Sequence, residues 1–313
     1  MKKPVIVVVG SSNTDMVVKS DKIPAPGETV VGGEFVMAPG GKGANQAVAA
    51  ARLGGDVVFV ARVGNDMLGR QAVEGYVKEG IDVSHVAKDT GAATGVALIL
   101  VDGKGENLIS VASGANHRLS PADVDAAADE IRRADIVVVQ LETPMDAIAR
   151  AAEIAGEAGV PVILDPAPAP AEPLPESLLS KIAYVKPNEH EASQLTGIKV
   201  DGVESARKAA EKLLSAGMRG VIVTLGTEGS LILERGAEPI CVPAMKVDAV
   251  DATAAGDCYS GALAVCLGQG RSLAEAVRFA TAASAISVTR LGAQPSVPTL
   301  EETIDFLKKN GEK

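Results

Sequence analysis

Short runs of β-branched and other apolar residues recur along the chain, with amphipathic helical patterns between them. Apolar runs without polar alternation are typical of strands buried on both faces. These runs lie at residues 5–9, 57–60, 136–139, 162–164, 183–185 and 221–225. Helices are predicted at residues 44–53, 69–79, 121–133, 144–158, 189–195, 203–216, 261–267 and 273–289. The alternation predicts a three-layer α/β/α, Rossmann-like domain with a mainly parallel sheet.

Two stretches, residues 16–38 and 94–111, depart from this pattern. Apolar positions alternate within them, and Gly-rich or Pro-Gly turns interrupt them. They predict antiparallel hairpins that form a small β sheet. Because open α/β sheets bind ligands at the carboxyl ends of their strands, a small sheet over that edge would be a lid. The alternative is a sheet extension or a dimer interface, and one sheet can serve both purposes. We interpret residues 1–313 as a single domain with this lid inserted in it.

Composition narrows the class of partner. The 313 residues include 30 Lys and Arg against 40 Asp and Glu, a net charge of −10, which argues against nucleic acid as the main partner. An anionic ligand must therefore be held by local groups. Aromatic residues are 2% of the chain and Trp is absent, which favours small, hydrogen-bonded substrates over stacked ones.

The compartment is predicted from the cysteines and the N-terminus. The three cysteines lack the spacing of a zinc site, and their odd number fits a reducing compartment. The apolar run at residues 4–9 is too short for a signal peptide or a membrane span. We therefore expect a cytoplasmic protein without a membrane partner.

Small residues and an acid stand where a loop enters a predicted helix near Gly256. Ala254, Ala255 and Gly256 have little or no side chain, so their N–H groups can point at an anion beside the positive end of the helix. Asp257 follows, and a carboxylate there can accept the proton of an attacking hydroxyl during phosphoryl transfer. The alternative is that Asp257 caps the helix and the small residues allow close packing.

Two segments near the N-terminus carry donors and acceptors suited to hydroxyl groups. Residues 39–46 form a Gly-rich turn that matches neither a Walker P-loop nor a Rossmann fingerprint, and Lys42 and Asn45 supply donors there. Helix–sheet packing is the alternative for these glycines. Asn13 and Asp15 lie two residues apart, so in an extended chain they share a face and could clamp adjacent hydroxyls of a sugar. A turn-stabilising role is their alternative.

Further polar residues follow the predicted strands at their carboxyl ends. Glu142 follows one strand, and Asn188 and Glu191 lie three residues apart across a helix start. Glu191 could hold a water of a phosphate-bound Mg²⁺, although a capping box fits the same spacing equally well. The turn at residues 224–229 could hold a nucleotide or be only a loop.

The chain resembles the ribokinase family of carbohydrate kinases from one end to the other. Four segments carry this resemblance in the family's order: Gly40-Gly41-Lys42-Gly43-Ala44-Asn45-Gln46-Ala47, Lys186-Pro187-Asn188-Glu189, Asp251 to Asp257, and Gly292-Ala293-Gln294-Pro295-Ser296-Val297-Pro298. The resemblance implies a ribokinase-like fold and transfer of the γ-phosphoryl group of ATP to the 5-hydroxyl of D-ribose. Asp257 would be the general base, and the backbone of Ala255, Gly256 and Asp257 would form the anion hole.

The same resemblance implies the binding residues. The sugar would contact Asn13, Asp15, Gly41, Lys42, Asn45, Glu142 and Asp257. ATP would lie near Asn188, Thr224, Gly226, Gly229, Gly256 and Thr281, with Glu191 assisting Mg²⁺. A monovalent cation, usually K⁺, would order the anion-hole loop through Asp251, Thr253, Ser287, Arg290, Gly292 and Ser296, several of them by backbone carbonyls.

The chain departs from the family's pattern near the predicted base. Cys258-Tyr259-Ser260 stands where the family commonly has Thr-Phe-Asn, Ala252 where Thr is usual, and Thr281 where an Asn is familiar beside adenine. The base and its glycine are unchanged, so these positions bear on nucleotide preference and rate.

Several other activities remain open at this stage. They are a kinase for deoxyribose, fructose or adenosine, and a non-catalytic sugar-binding regulator. A dinucleotide oxidoreductase is disfavoured by the missing fingerprint. If one face of the lid hairpins is apolar, it is expected to pair with a second copy and give a homodimer.

Overall fold

A computed structural model describes residues 3–170 and 172–311 of the chain. Within them, nine strands form the main sheet: β1 (Val5–Val9), β4 (Asp56–Gly64), β5 (Val86–Asp89), β8 (Ile136–Gln140), β9 (Val162–Asp165), β10 (Tyr184–Val185), β11 (Gly220–Thr224), β12 (Ser230–Glu234) and β13 (Ile240–Val242). A second sheet contains β2 (Asn13–Lys19), β3 (Glu34–Gly40), β6 (Gly95–Val101) and β7 (Asn107–Ala112).

The main sheet has the order β13-β12-β11-β10-β9-β8-β1-β4-β5. Neighbours from β11 to β5 pair in parallel, and β12 and β13 add an antiparallel edge. The predicted parallel sheet is confirmed. Its three unpredicted strands, β5, β12 and β13, lie toward its two edges. β13 spans three residues and buries only Val242, so its sequence gives little strand signal.

The helices cover both faces of this sheet. They are α1 (Lys42–Arg52), α2 (Met67–Lys78), α3 (Pro121–Ala126), α4 (Ala128–Arg133), α5 (Met145–Glu157), α6 (Glu176–Leu179), α7 (Glu189–Thr196), α8 (Val203–Leu214), α9 (Ala255–Gly268), α10 (Leu273–Ser287) and α11 (Leu300–Lys309). The predicted helix at 121–133 is two helices that meet at Ala127, which has non-helical dihedral angles. Helices α6 and α11 were not predicted from the pattern.

Two aliphatic cores lie on opposite faces of the sheet. Val7 and Val9 of β1 pack in the core on one face, which includes buried residues of α5 and α8. Ile6 and Val8 pack in the core on the other face, which includes buried residues of α1, α9 and α10. This alternation explains the continuous apolar runs, because each strand needs apolar side chains in both directions.

The small sheet consists of the two predicted hairpins. Strands β2 and β3 pair antiparallel, as do β6 and β7. The hairpins join through a parallel pairing of β2 with β6, a feature that the local sequence pattern does not reveal. Among the described residues, no helix combines the length and the apolar character that crossing a bilayer demands.

Candidate active site

Asp257 is buried in the first turn of α9, and two consecutive residues of α1 hold its carboxylate. The Nδ2 of Asn45 donates to its Oδ2 at 2.9 Å, and the Nε2 of Gln46 donates to its Oδ1 at 3.0 Å. The helices can approach this closely because Gly261 faces α1: a Cβ there would lie 2.6 Å from the Cβ of Ala49. The acid predicted to be the base is therefore fixed by amide donors of the Gly-rich motif.

Each of these amides is itself oriented by a glutamine. Gln140 Nε2 donates to Gln46 Oε1 at 2.8 Å, and Gln294 Nε2 donates to Asn45 Oδ1 at 3.3 Å. Gln140 ends β8 in the main sheet, whereas Gln294 belongs to the loop between α10 and α11. Because an amide oxygen can only accept, these contacts turn the donating nitrogens of Asn45 and Gln46 toward Asp257.

Two of the three N–H groups predicted to form the anion hole are free at the start of α9. The N–H of Ala255 donates to the Ala252 carbonyl at 3.2 Å, while the N–H groups of Gly256 and Asp257 make no hydrogen bond within residues 3–170 and 172–311. Ala254 has φ of 57°, the one positive φ at a non-glycine residue of that part of the chain. The N–H groups of Gly256 and Asp257, which belong to the positive end of the dipole of α9, are therefore the ones available to an anion.

The site mixes buried carboxylates with a buried lysine. Burial raises the pKa of Asp257, and Asp165 adds to this effect, while Lys42, Asn45 and Gln46 oppose it. For Lys42, burial lowers the pKa, but the negative charges of Asp257, Asp165 and neighbouring glutamates outweigh burial and raise it. Lys42 is therefore a cation that faces the carboxylates of the site.

Asn13 and Asp15 lie on one face of β2, as predicted from their spacing. Asn13 Oδ1 accepts from Asn116 Nδ2 at 2.7 Å, which leaves the amide nitrogen of Asn13 as the donor for a ligand. Burial, with the nearby charges of Glu142 and Asp257, raises the pKa of Asp15 to about 6. Asp15 covers Gly40, where a Cβ would lie 2.4 Å from its carboxylate oxygens.

Glu142 and the Gly-rich turn are tied to the loop after β1. Glu142 Oε2 accepts from Ser11 Oγ at 2.5 Å and from the Lys42 N–H at 2.9 Å. Gly41 has φ of 91°, and a Cβ there would lie 2.7 Å from the Asn13 nitrogen. Close packing, the alternative explanation for these glycines, therefore applies to Gly41.

Two of the residues predicted to meet the nucleotide lie at the start of α7. Asn188 and Glu191 form a full capping box at the start of α7, with bonds of 2.8 and 2.9 Å. Only Oε2 of Glu191 accepts a hydrogen bond in this box. The capping role therefore leaves the second carboxylate oxygen available for a water. Burial raises the pKa of Glu191, as does the charge of Asp165, while Lys186 opposes them.

The remaining nucleotide residues differ in accessibility. Thr224 ends β11 and pairs with Asn188 in a short parallel bridge, and Gly226 and Gly229 frame the turn that follows with φ of 53° and 102°. Thr281 is buried in α10, where its hydroxyl donates to the Val277 carbonyl at 2.8 Å. The hydroxyl hydrogen of Thr281 is therefore used within α10, and a ligand could only donate to this oxygen.

The predicted cation residues surround the loop that precedes α9. Asp251 accepts from the N–H and hydroxyl of Thr253 at 2.9 and 2.6 Å and from the Gly292 N–H at 2.8 Å. Burial raises the pKa of Asp251, but these hydrogen bonds outweigh burial and lower it. The Arg290 side chain pairs with Glu302, so only its backbone is left for an ion.

The two serines of this group are buried. Ser287 Oγ donates to the Ser284 carbonyl at 2.8 Å and Ser296 Oγ to the Ala293 carbonyl at 2.7 Å. Ser287 also lies beside the thiol of Cys258. The residues predicted for the cation therefore offer one carboxylate, hydroxyls and backbone carbonyls.

Comparison with known proteins assigns the chain to a family. A model of pfkB family carbohydrate kinases matches residues 3–300. The chain belongs to the pfkB family. A ribokinase of Haemophilus influenzae is 43% identical over 303 residues, covering 97% of this chain and 98% of that protein. A deoxyribokinase of Salmonella typhi is 37% identical over 305 residues, covering 97% and 99%. The structure of Arabidopsis thaliana ribokinase complexed with ribose and ATP is similar with a TM-score of 0.92 and 36% identity, covering 98% and 99%.

In this pfkB kinase, residues predicted from separate motifs converge at the carboxyl edge of the sheet. Asn45 reaches Asp257 directly, and Lys42 lies close enough to Asp257, Glu142 and Glu191 to be influenced by their charges. Ala252 and Cys258, which depart from the family's pattern, occupy a backbone turn and a buried position.

Sequence reasoning missed the polar residues that orient the site: Gln46, Asn116, Gln140, Asp165, Lys186, Ser260 and Gln294. Gln140 and Asp165 each end a strand of the main sheet, and that position was the signal available for them.

Proposed function

We propose that this kinase transfers the γ-phosphoryl group of ATP to the 5-hydroxyl of D-ribose. The proposal rests on a buried carboxylate, Asp257, that lies near polar side chains of β2 and α1 and beside two N–H groups that make no hydrogen bond in the described part of the chain. Relatives named ribokinase at about 40% identity over nearly the whole chain support ribose as the acceptor.

The residues divide the work of this transfer. Asn13, Asp15 and Glu142 bind sugar hydroxyls and direct the 5-hydroxyl toward Asp257. A bond forms between that oxygen and the γ-phosphorus, the bond from phosphorus to the β-phosphate oxygen breaks, and Asp257 receives the hydroxyl proton. The N–H groups of Gly256 and Asp257 stabilise the charge on the moving phosphoryl group. The products are ribose 5-phosphate and ADP.

A panel of acceptors tests the proposal. ADP release is measured with ATP, Mg²⁺ and K⁺ on D-ribose, 2-deoxyribose, fructose and adenosine. If the residues on β2 clamp the 2- and 3-hydroxyls, deoxyribose leaves a buried polar group unpaired, at a cost of about 1–3 kcal/mol. Asp257→Asn keeps the shape of the base and is expected to lower kcat on ribose by about 10²–10⁴-fold.

Each other outcome has a definite meaning. Equal or better turnover of deoxyribose contradicts ribose specificity and favours a deoxyribokinase, a candidate that the 37% identity to the Salmonella typhi enzyme keeps in view. Turnover of fructose or adenosine alone would show that this compound, and not ribose, is the acceptor. Ribose binding without ADP release supports the non-catalytic regulator.

Mg²⁺ is proposed to reach the site with ATP. The described residues contain no group of three His, Cys, Asp or Glu side chains able to hold a metal, which fits an ion bound mainly by phosphates and water. Glu191, with one free carboxylate oxygen, would hold one of those waters. An ion held there would supply positive charge to neutralise the transferred group.

K⁺ is proposed to bind between residues 251–253 and 287–296. The proposed ligands offer oxygen atoms, as hard cations prefer, and Asp251 already joins the two loops through Gly292. We expect K⁺ to raise Tm and kcat relative to tetramethylammonium at equal ionic strength. Asp251→Ala should remove both effects, whereas identical Tm values for the wild type in the two salts would contradict the site.

A homodimer through the lid is also proposed, together with a single-domain organisation over residues 1–313 and a cytoplasmic location. Asp15, Val17 and Ala38 share the face of the lid that carries the sugar residues. The opposite face is also apolar, and its side chains are about half exposed: Phe35, Met37, Leu98 and Leu108. A second copy seated on this face would bury it.

A further inference from the structure

The base faces a second buried carboxylate, Asp165, which ends β9. The Nε2 of Gln46 donates to Asp165 Oδ2 at 2.8 Å and to Asp257 Oδ1 at 3.0 Å. Lys186 Nζ lies 3.3 Å from the same oxygen of Asp165, and Ser260 Oγ lies 2.9 Å from it. One amide nitrogen therefore bridges two carboxylates whose side chains are almost fully buried.

The bridge has a fixed direction. Because Gln140 Nε2 donates to Gln46 Oε1 at 2.8 Å, the nitrogen of Gln46 must face the acids, and it has one hydrogen for each of them. The other oxygen of Asp165, Oδ1, is buried and has no hydrogen-bond partner among the described residues. Asp165 thus has unsatisfied acceptor capacity directly behind the base.

The pair Asp165–Lys186 touches both parts of the phosphoryl-transfer site. Lys186 Nζ lies 3.4 Å from the carbonyl oxygen of Gly256, the residue whose N–H belongs to the anion hole. Ser260 Oγ lies 3.0 Å from the same carbonyl oxygen. The ion pair is therefore joined to the base through Gln46 and to the anion hole through Gly256.

Charged groups from several elements lie near Asp257; of these, Lys42 lowers the pKa of Asp257 and Asp165 raises it. They are Asp15 on β2, Lys42 on α1, Glu142 after β8, Asp165 on β9, Lys186 after β10 and Glu191 on α7. Asp165 is the acid of this group that shares a hydrogen-bond donor with Asp257, so its charge acts at short range.

We propose that Asp165, paired with Lys186, is a positioning residue for the base: it holds Gln46 toward Asp257, and its charge sets the pH at which Asp257 can accept the hydroxyl proton. The inference rests on the proposed role of Asp257 as the base. Loss of Asp165 alone leaves the positive charge of Lys186 uncompensated and favours ionised Asp257. Loss of Lys186 alone leaves Asp165 uncompensated and favours protonated Asp257.

The pH profile of kcat/KM for D-ribose tests this with three variants. In Asp165→Asn the acid limb should move down by about one pH unit, and in Lys186→Met it should move up by a similar amount. The double variant, neutral at both positions, should return toward the wild-type limb. Damage to folding lowers the rate without moving the limb, and it does not move two limbs in opposite directions. Limbs that stay in place, or that move the same way in both single variants, overturn the proposal.

A second measurement reads Asp257 without substrate. Tm is followed against pH for the wild type and Asp257→Asn, and again for the same pair carrying Asp165→Asn. The gain in Tm from Asp257→Asn should appear as pH rises through the pKa of Asp257, because the buried charge is then removed. With Asp165→Asn that rise should occur at lower pH, and an unchanged midpoint contradicts the inference. A wild type that phosphorylates no sugar contradicts the proposed function instead. The Tm series still tests whether Asp165 affects the ionisation of Asp257, because it needs no substrate.

Discussion

At the residue scale, the carboxylate proposed as the base is held by amides rather than by a histidine or a lysine. Asn45 and Gln46 donate to both oxygens of the Asp257 carboxylate, and no positively charged side chain makes a hydrogen bond to it within the described residues. Amide donors fix the direction of a carboxylate without a full charge, so Asp257 keeps a raised pKa and remains able to take a proton. Orientation and proton affinity are thus set by different neighbours.

Asp15 gives a prediction on pH and stability. Burial and the nearby acids raise its pKa from 3.8 to about 6, so the folded protein binds this proton more tightly than the unfolded chain. Its contribution to stability is therefore lost as pH rises from about 4 to about 6 and stays lost above that range. Asp15→Asn removes the ionisation and should stabilise the ligand-free protein by about 1–2 kcal/mol at pH 8, with little effect near pH 4. It should also raise KM for the sugar.

Thermal unfolding at the two pH values checks this expectation. Asp248→Asn, at an exposed position, serves as the control and should change Tm equally little at both. A destabilised Asp15→Asn variant at pH 8 would show that this carboxylate is favourably paired in the folded protein.

At the scale of elements, the contact between α1 and α9 assembles the site. Gly261 makes this contact possible, since a Cβ there would lie 2.6 Å from the Ala49 Cβ and 2.8 Å from the Ala50 nitrogen. Gly261→Ala should destabilise the protein by about 1–3 kcal/mol and lower kcat more than it changes KM, because Asn45 and Gln46 move away from Asp257.

A matched glycine in another helix controls for helix propensity. Gly75 lies in α2 with open space around its would-be Cβ, so Gly75→Ala should stabilise the protein by about 0.5–1 kcal/mol and leave kcat unchanged. Denaturant unfolding and steady-state kinetics on both variants measure the contrast. Wild-type stability and kcat in Gly261→Ala would show that the helices can separate without cost to the site.

The same element scale shows which features a sequence pattern predicts. Strands such as β1 and β8 were predicted because both faces are buried and the apolar run is continuous. The edge strand β13 has a weak local signal, because it is three residues long and buries one of them. Helix α11, in contrast, is amphipathic and starts with a capping box of Thr299 and Glu302, so its sequence signal was present and was overlooked. Asp257 and its glycine were found from a local motif. Asp165 was missed as a site residue because its partners come from three distant segments, and only the folded chain brings them together.

At the scale of the whole molecule, the lid has apolar side chains on both faces. A sheet with one buried face normally alternates apolar and polar residues, but here rows such as Val18, Phe35, Leu100 and Leu108 lie back to back with Val17, Val36, Ile99 and Ile109. The second set shares its face with Asp15, so it can close over the sugar. The first set needs another covering surface, because exposed apolar patches of this kind are typical of interaction sites.

A second copy of the chain is the covering surface that we propose, and a charge on the outer face tests it. Met37 is 43% exposed on the face opposite Asp15, and Met37→Asp should give a monomer because a buried, unpaired carboxylate opposes association. Val77→Asp, at a residue 56% exposed on α2 and far from the lid in sequence, is the control and should not change the assembly. Sedimentation at micromolar concentration should give twice the chain mass of 31.8 kDa for the wild type and the control.

A wild type that sediments as a monomer contradicts the dimer. If Met37→Asp is monomeric and also has a raised KM for the sugar, the partner copy helps to hold the lid over the site; an unchanged KM separates assembly from binding.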